Sequence, residues 1–251
     1  MKAFIKKGWR PLAVLILLLL IWELTVKLAH TPSWLLPPPT SIFQEAIDGW
    51  DGFHPHVLST TQLALLGFMI GCSCGLITAA VLHLLPVVRE AIYPLLILSQ
   101  NIPTIVLAPL LVIWFGFGLL PKIIVITLVC FFPVTVAALD GLRQTDHVLK
   151  HYMEMAGASK KQMFWKLELP YALPSIFSGL KISATYSVMG AVISEWLGAK
   201  KGIGVFMTLA SSSFRTDRVF VAIFTIMILS LLFFAIILII ERLFVSWEKE
   251  D

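Results

Sequence analysis

Six long apolar runs dominate the chain, at 11–29, 59–84, 91–115, 121–139, 174–198 and 219–241. Each is close to the roughly 20 residues that cross a bilayer as a helix. The pattern therefore predicts an all-α, polytopic membrane helix bundle of about six transmembrane helices, forming one domain over 1–251. The first run continues from Leu12 past Trp22 with no small-residue cleavage site, which reads as a retained helix and not a removed leader. Glu23 and Lys27 stand four apart near its end, where they can pair on one helical face.

The intervening segments differ in kind. Residues 30–58 carry Pro32 and then Pro37-Pro38-Pro39, which stops the first helix. Thr40 or Ser41 can cap a short amphipathic helix running to Trp50. His54 and His56 follow; in an extended segment they would face opposite ways. Residues 198–218 are rich in Gly, Ser and Lys, with too few apolar residues to span. Residues 140–173 form the longest polar stretch. From Glu154 to Pro170 it reads as helix, a break at Gly157, a short helix capped by Ser159, and a stop at Pro170.

Composition sharpens this picture. Of 251 residues, 58% are hydrophobic and only 14% charged, against roughly a quarter charged in soluble domains. A soluble enzyme and a disordered chain are both poor fits. The net charge of +4 matches juxtamembrane anchoring; no basic patch interleaved with aromatics suggests nucleic acid as a partner. With both termini inside, twelve Lys and Arg fall on the cytoplasmic side and six outside, which predicts that orientation. Lys181 is left within the fifth helix. Cys72, Cys74 and Cys130 sit in apolar runs and read as small hydrophobes.

Several features bear on chemistry. Gly67, Gly71, Gly75 and Ala79 line one face of the second helix, where small residues let another helix approach closely. Gly71 to Gly75 also matches G-x-S-x-G, but that motif works on a strand-to-helix turn and this segment is an apolar helix. His147, His151 and Glu154 are spaced as ligands on one helical face could be, although a solvated surface is the simpler account. No G-x-x-x-x-G-K-[ST] occurs, so any ATP driving transport must be bound by another subunit.

The third run contains Gln100, Asn101 and Pro103. Proline should kink the helix there, and the amides are costly facing lipid, so the break should line a pathway or hydrogen-bond another helix. Tyr186, Ser187 and Glu195 of the fifth run are further pathway candidates, with a structural role equally open for Glu195. In the inner segment, Met163, Phe164 and Leu167 beside Lys160, Lys161 and Lys166 suit docking into a partner's groove. An interfacial helix on anionic membrane lipid is the alternative.

This segment resembles the cytoplasmic signature of binding-protein-dependent ABC importer permeases: E-A-A, three residues, G, nine residues, I-x-L-P. Gly157 takes the signature glycine and Leu167-Glu168-Leu169-Pro170 its end. The opening E-A-A falls on His151-Tyr152-Met153, a departure, with Glu154 and Ala156 nearby in another register. Trp34-Leu35-Leu36-Pro37-Pro38-Pro39, then Ile102-Pro103 through Ala108-Pro109-Leu110-Leu111 to Trp114-Phe115-Gly116, are similar to the sulfonate, taurine and nitrate branch. So are Leu173-Pro174 through Lys181, Gly190-Ala191 and Glu195-Trp196. The likeness covers about 9–245, and the details from Tyr171 to Trp196 are most similar to the subgroup handling thiamine-pyrimidine precursors.

The resemblance implies a type I importer permease of a bacterial inner membrane, with a core region at 59–245 and a coupling loop at 140–173. It further implies a second permease copy, two cytoplasmic ATPase subunits that bind ATP and Mg, and an external solute-binding protein. The chain itself would hold no cofactor and perform no covalent chemistry. Coupling to the ATPase would fall on Glu154, Met155, Ala156, Gly157, Ala158, Ser159, Met163, Phe164, Leu167 and Pro170. The solute would be small and polar, a thiamine-pyrimidine precursor or a sulfonate-like compound. The competing reading, a stand-alone secondary transporter or channel, would need an intramembrane ionisable relay, and helix-centre Asp, Glu or His are scarce.

Overall fold

The computed structural model describes residues 2–245, with side chains from Trp9 onward. The cationic groups of Lys2, Lys6, Lys7 and Lys249, counted above for orientation, lie outside the described side chains. Every regular element among the described residues is helical: α1 (Lys2–Leu28), α2 (Pro39–Asp48), α3 (Trp50–Leu84), α4 (Pro86–Ser99), α5 (Thr104–Phe115), α6 (Leu119–Arg143), α7 (His147–Met155), α8 (Lys160–Met163), a π-helical turn (Phe164–Glu168), α9 (Leu169–Glu195), α10 (Ile203–Ser212) and α11 (Thr216–Phe244). Five helical stretches are long and apolar enough to cross a membrane, and the bent pair α4–α5 makes a sixth.

The core is a trio, α3, α6 and α9, and glycine decides how close its helices come. A Cβ on Gly71 would lie 2.8 Å from Cys130 Cβ and from the Thr127 carbonyl oxygen, and one on Gly75 would lie 2.9 Å from the Phe131 carbonyl oxygen. Gly67 is likewise closed by Ile126. On the other flank of α6, Gly179 abuts Pro133, Val134 and Ala137, while Gly141 abuts Ala172 and Ser175. In lipid, where water exclusion does not drive helices together, such close packing is a main source of association. Ile126, Cys130, Val134, Ala184 and Val188 are fully buried at its centre.

These contacts also fix direction. Gly67, Gly71 and Gly75 meet α6 at successively later positions, so α3 and α6 run parallel. Gly179 and Gly190 of α9 meet α6 in the reverse order, so α9 is antiparallel to both. Two parallel helices in sequence require the chain to return between them, and that return is α4–α5, bent by 99°. The expected kink is thus a complete break: α4 ends at Ser99, α5 begins at Thr104, and the four residues between them leave the helix, with Pro103 capping α5 in extended backbone (φ −60°, ψ 119°).

Contacts of α11 with α9 (Lys181–Glu241, Phe177–Phe244) are antiparallel in sense, and the later part of α1 meets the start of α11, with Trp22 on Phe220 and Phe224 and the Thr216 hydroxyl donating to the Trp34 carbonyl just beyond α1. The end of α11 and the start of α1 therefore point toward the end of the bundle that holds α7 and α8. Lys181 finds its partner here, with Nζ 2.9 Å from both oxygens of Glu241. The expected Glu23–Lys27 pair forms at 2.7 Å.

Three local expectations are corrected. The short helix begins at Pro39 with Pro38 as its cap residue, and the Thr40 hydroxyl instead donates to Glu23 at 2.8 Å. A proline in the first turn costs nothing, because that N–H lacks an intrahelical partner anyway. Residues 50–58 are helical and not extended, forming the first turns of α3, with Pro55 inside it. Pro170 does not stop the inner helix. The π-helical turn before it shifts the hydrogen-bonding register, so a residue without an N–H is accommodated in the first turn of α9.

Candidate functional site: the break cavity and the two ends of the bundle

The broken traverse makes a cavity of about 340 Å³, lined by Ser99, Gln100, Ile102 and Pro103 from the break, Thr104 and Leu107 from α5, Leu128, Val129, Phe132 and Pro133 from α6, and Tyr186 and Met189 from α9. Among the pathway candidates, Gln100, Pro103 and Tyr186 meet here. Asn101 is exposed beside it, its amide donating to the Ile97 carbonyl at 3.0 Å. Ser187 and Glu195 are elsewhere. Ser187 is fully buried and donates to the Ala184 carbonyl at 2.8 Å.

Glu195 ends α9 only 1% exposed, at the junction of α3, α9 and α10. Thr60 donates to Oε1 at 2.7 Å, and the Gly204 N–H donates to Oε2 at 2.8 Å. The same Thr60 oxygen accepts from the Ile203 N–H at 2.8 Å. The carboxylate therefore caps α10, a helix start that lacks a capping side chain of its own. Gly202 (φ 139°) makes room for it, since a Cβ there would overlap the carboxyl group. His56 completes the clasp, with Nδ1 3.1 Å from the Gly202 nitrogen. Spacing along the chain gave no hint of these partners, which come from α3 and α10.

At the opposite end, α7 is capped by Asp146 and closes at Gly157 (φ 79°), with the Ala158 N–H returning to the Met153 carbonyl at 3.0 Å. Ser159 and Gln162 form a reciprocal capping box on α8. Glu168 holds this assembly to the core: Lys150 Nζ lies 2.7 Å from Oε1 and His83 Nε2 lies 2.8 Å from Oε2. Sequence reasoning named Glu168 only as part of the signature's end; its partners, from α3 and α7, are not visible in local sequence.

The coupling candidates divide by exposure. Glu154, Met155, Ala156, Gly157 and Ser159 are exposed, Ala158 and Pro170 half-buried. Met163, Phe164 and Leu167 are half-buried too, and Phe164 packs on the core cluster around Leu82 and Leu139. The exposed apolar side chains of this end include Val148, Leu149, Tyr152, Met155, Trp165 and Tyr171, with Lys160, Lys161 and Lys166 exposed in the same segment. His151 and Glu154 approach to 3.8 Å on the surface.

Residues 67–245 match the family of binding-protein-dependent transport system inner membrane components. The chain belongs to that family. It is 35% identical to the formylaminopyrimidine transport permease protein ThiX of Halalkalibacterium halodurans, with 96% of each chain covered. It is 32% identical to the riboflavin transport system permease protein RibX of Chloroflexus aurantiacus (93% of this chain, 88% of that one) and 29% identical to the taurine transport system permease protein TauC of Escherichia coli (95% and 90%). The fold matches a crystal structure of an amino acid ABC transporter with histidines at a TM-score of 0.66 and 15% identity, covering 80% of this chain and 97% of that one. The chain is thus a multi-helix membrane permease component of an ABC importer family.

Proposed function

We propose that the chain forms the solute pathway of an ATP-driven importer in a bacterial inner membrane, with both termini cytoplasmic. Two copies enclose the pathway, two ATPase subunits holding ATP and Mg dock on α7–α8, and an external binding protein delivers the solute. A formylaminopyrimidine-like compound is the favoured cargo, on the strength of the full-length similarity to ThiX. The observation that carries the docking surface is that Tyr152, Met155 and Trp165 (58% exposed) stand exposed at the same end as the exposed Lys160, Lys161 and Lys166, an end clasped to α3 through Glu168. Aromatic and methionine anchors surrounded by charge are suited to a groove on a partner.

The test is a pull-down of the tagged chain from mild detergent, with ATP hydrolysis assayed and partners identified by mass spectrometry. An ATPase that co-purifies, and is lost on changing residues 155–167, is the expected result. An ATPase-free preparation that still transports in vesicles overturns it in favour of a stand-alone transporter.

A further inference from the structure

We infer that the cavity at the α4–α5 break is a solute site for a neutral, planar, hydrogen-bonding heterocycle, with Gln100 and Tyr186 setting the preference. This rests on the permease reading and its favoured cargo, and adds to them a site within this chain and a selection against charge. Phe132 stands at the middle of α6 and Tyr186 at the middle of the 174–198 run, so the cavity lies far from either end of the bundle. Its volume of about 340 Å³ falls at the small end of ligand pockets, which run from roughly 300 to 1,000 Å³.

The lining chemistry narrows the ligand. Phe132, Tyr186 and Met189 offer flat or polarisable surfaces for a ring. The Gln100 amide and the Thr104 and Tyr186 hydroxyls have no hydrogen-bond partner among the described residues, leaving donors and acceptors together for a heterocycle's edge. No charged residue lines the cavity, and none occurs in sequence between Glu90 and Lys122. Lys181, the cation of α9, is already paired with Glu241.

An anion brought to mid-bundle would leave its charge uncompensated, which is costly at that depth. The uncapped first turn of α5 supplies about half a positive charge, short of what a sulfonate needs. The cavity therefore filters by charge, independently of the binding protein's own selection.

The test uses the permease–ATPase complex in lipid nanodiscs without binding protein, with labelled formylaminopyrimidine and labelled ethanesulfonate as probes. Saturable binding of the first and none of the second is expected, weakened about tenfold by Gln100→Leu and by Tyr186→Phe. Thermal unfolding of each variant complex confirms that the loss is local. Saturable ethanesulfonate binding, no saturable formylaminopyrimidine binding, or unchanged binding in both variants overturns the inference while the importer assignment stands on ATPase stimulation by the binding protein. A complex whose ATPase no binding protein stimulates overturns the importer assignment, and the inference with it.

Discussion

The two ends of the bundle each bury one glutamate, and they satisfy it by opposite means. At the α10 end, Glu195 is held by neutral donors, the Thr60 hydroxyl and the Gly204 N–H, with Gly202 shaped around it. At the α7–α8 end, Glu168 is held by Lys150 and His83, side chains from two other segments. Backbone donors on a helix end offer one geometry and hold it. A lysine on a flexible stem keeps its attraction over a range of positions. The first arrangement therefore fixes a loop in place, and the second tethers segments that can shift against one another.

The contrast can be broken most severely at Gly202. Gly202→Val puts a branched side chain into the Glu195 carboxyl group at a positive φ, and should cost about 3 kcal/mol or more. Thermal unfolding in detergent, followed by tryptophan fluorescence, should show it as the largest loss of the series. Gly157→Ala at the other end, with positive φ but nothing within 4 Å of the added Cβ, should cost only about 1 kcal/mol. Equal losses would mean that backbone conformation and not the carboxylate contact makes Gly202 special.

Removing the acids sharpens the comparison further. Glu195→Ala strands the Gly204 N–H in a buried site, leaves the Thr60 hydroxyl only its longer bond to the His56 carbonyl at 3.1 Å, and should destabilise by about 2 kcal/mol. Glu168→Gln keeps the shape and loses the ion pair, so unfolding should move by about 1 kcal/mol. If α7–α8 is the docking surface, its larger effect will be on ATPase stimulation by the binding protein. The smallest expected effect is ionic: in roughly 1 M salt, where screening acts over about 3 Å, the difference between Glu168→Gln and the parent should shrink. That between Glu195→Gln and the parent should hold. Lys150, at 21% side-chain exposure, is reachable by salt; Glu195 is not.

Much of the fold was legible because membrane helices write their length and packing faces into local sequence. Six apolar runs located the traverses, the small-residue stripe through Gly67, Gly71 and Gly75 marked the side that meets α6, and Pro103 marked the break. What was not legible depends on partners distant in sequence. Glu195 could be singled out as a candidate, but its pairing with Thr60 needs α3 and α9 to be placed first. Pro170 looked like a terminator because local rules treat proline that way, and only the π-helical turn made by Phe164 to Glu168 lets the helix pass it. The docking candidates Met163 and Phe164 were chosen for apolarity, yet α9's packing turns Phe164 inward and leaves Trp165 outside.

The passage past Pro170 has a mechanical consequence. From Lys160 to Glu195 the chain is one unbroken helical stretch of 36 residues, a lever about 54 Å long at roughly 1.5 Å per residue. Its two buried acids lie near opposite ends, one in a yielding grip and one in a stiff one. Pivoting at its midpoint in the trio, such an arm turns a tilt of about 5° into a stroke of about 2 Å at each tip, taking roughly 27 Å as the half-length. A stroke of that size is enough to part the Thr60 hydroxyl from the Glu195 carboxylate, so if a partner docks on α7–α8 as proposed, its push beside Trp165 would release a catch at the opposite end of the bundle.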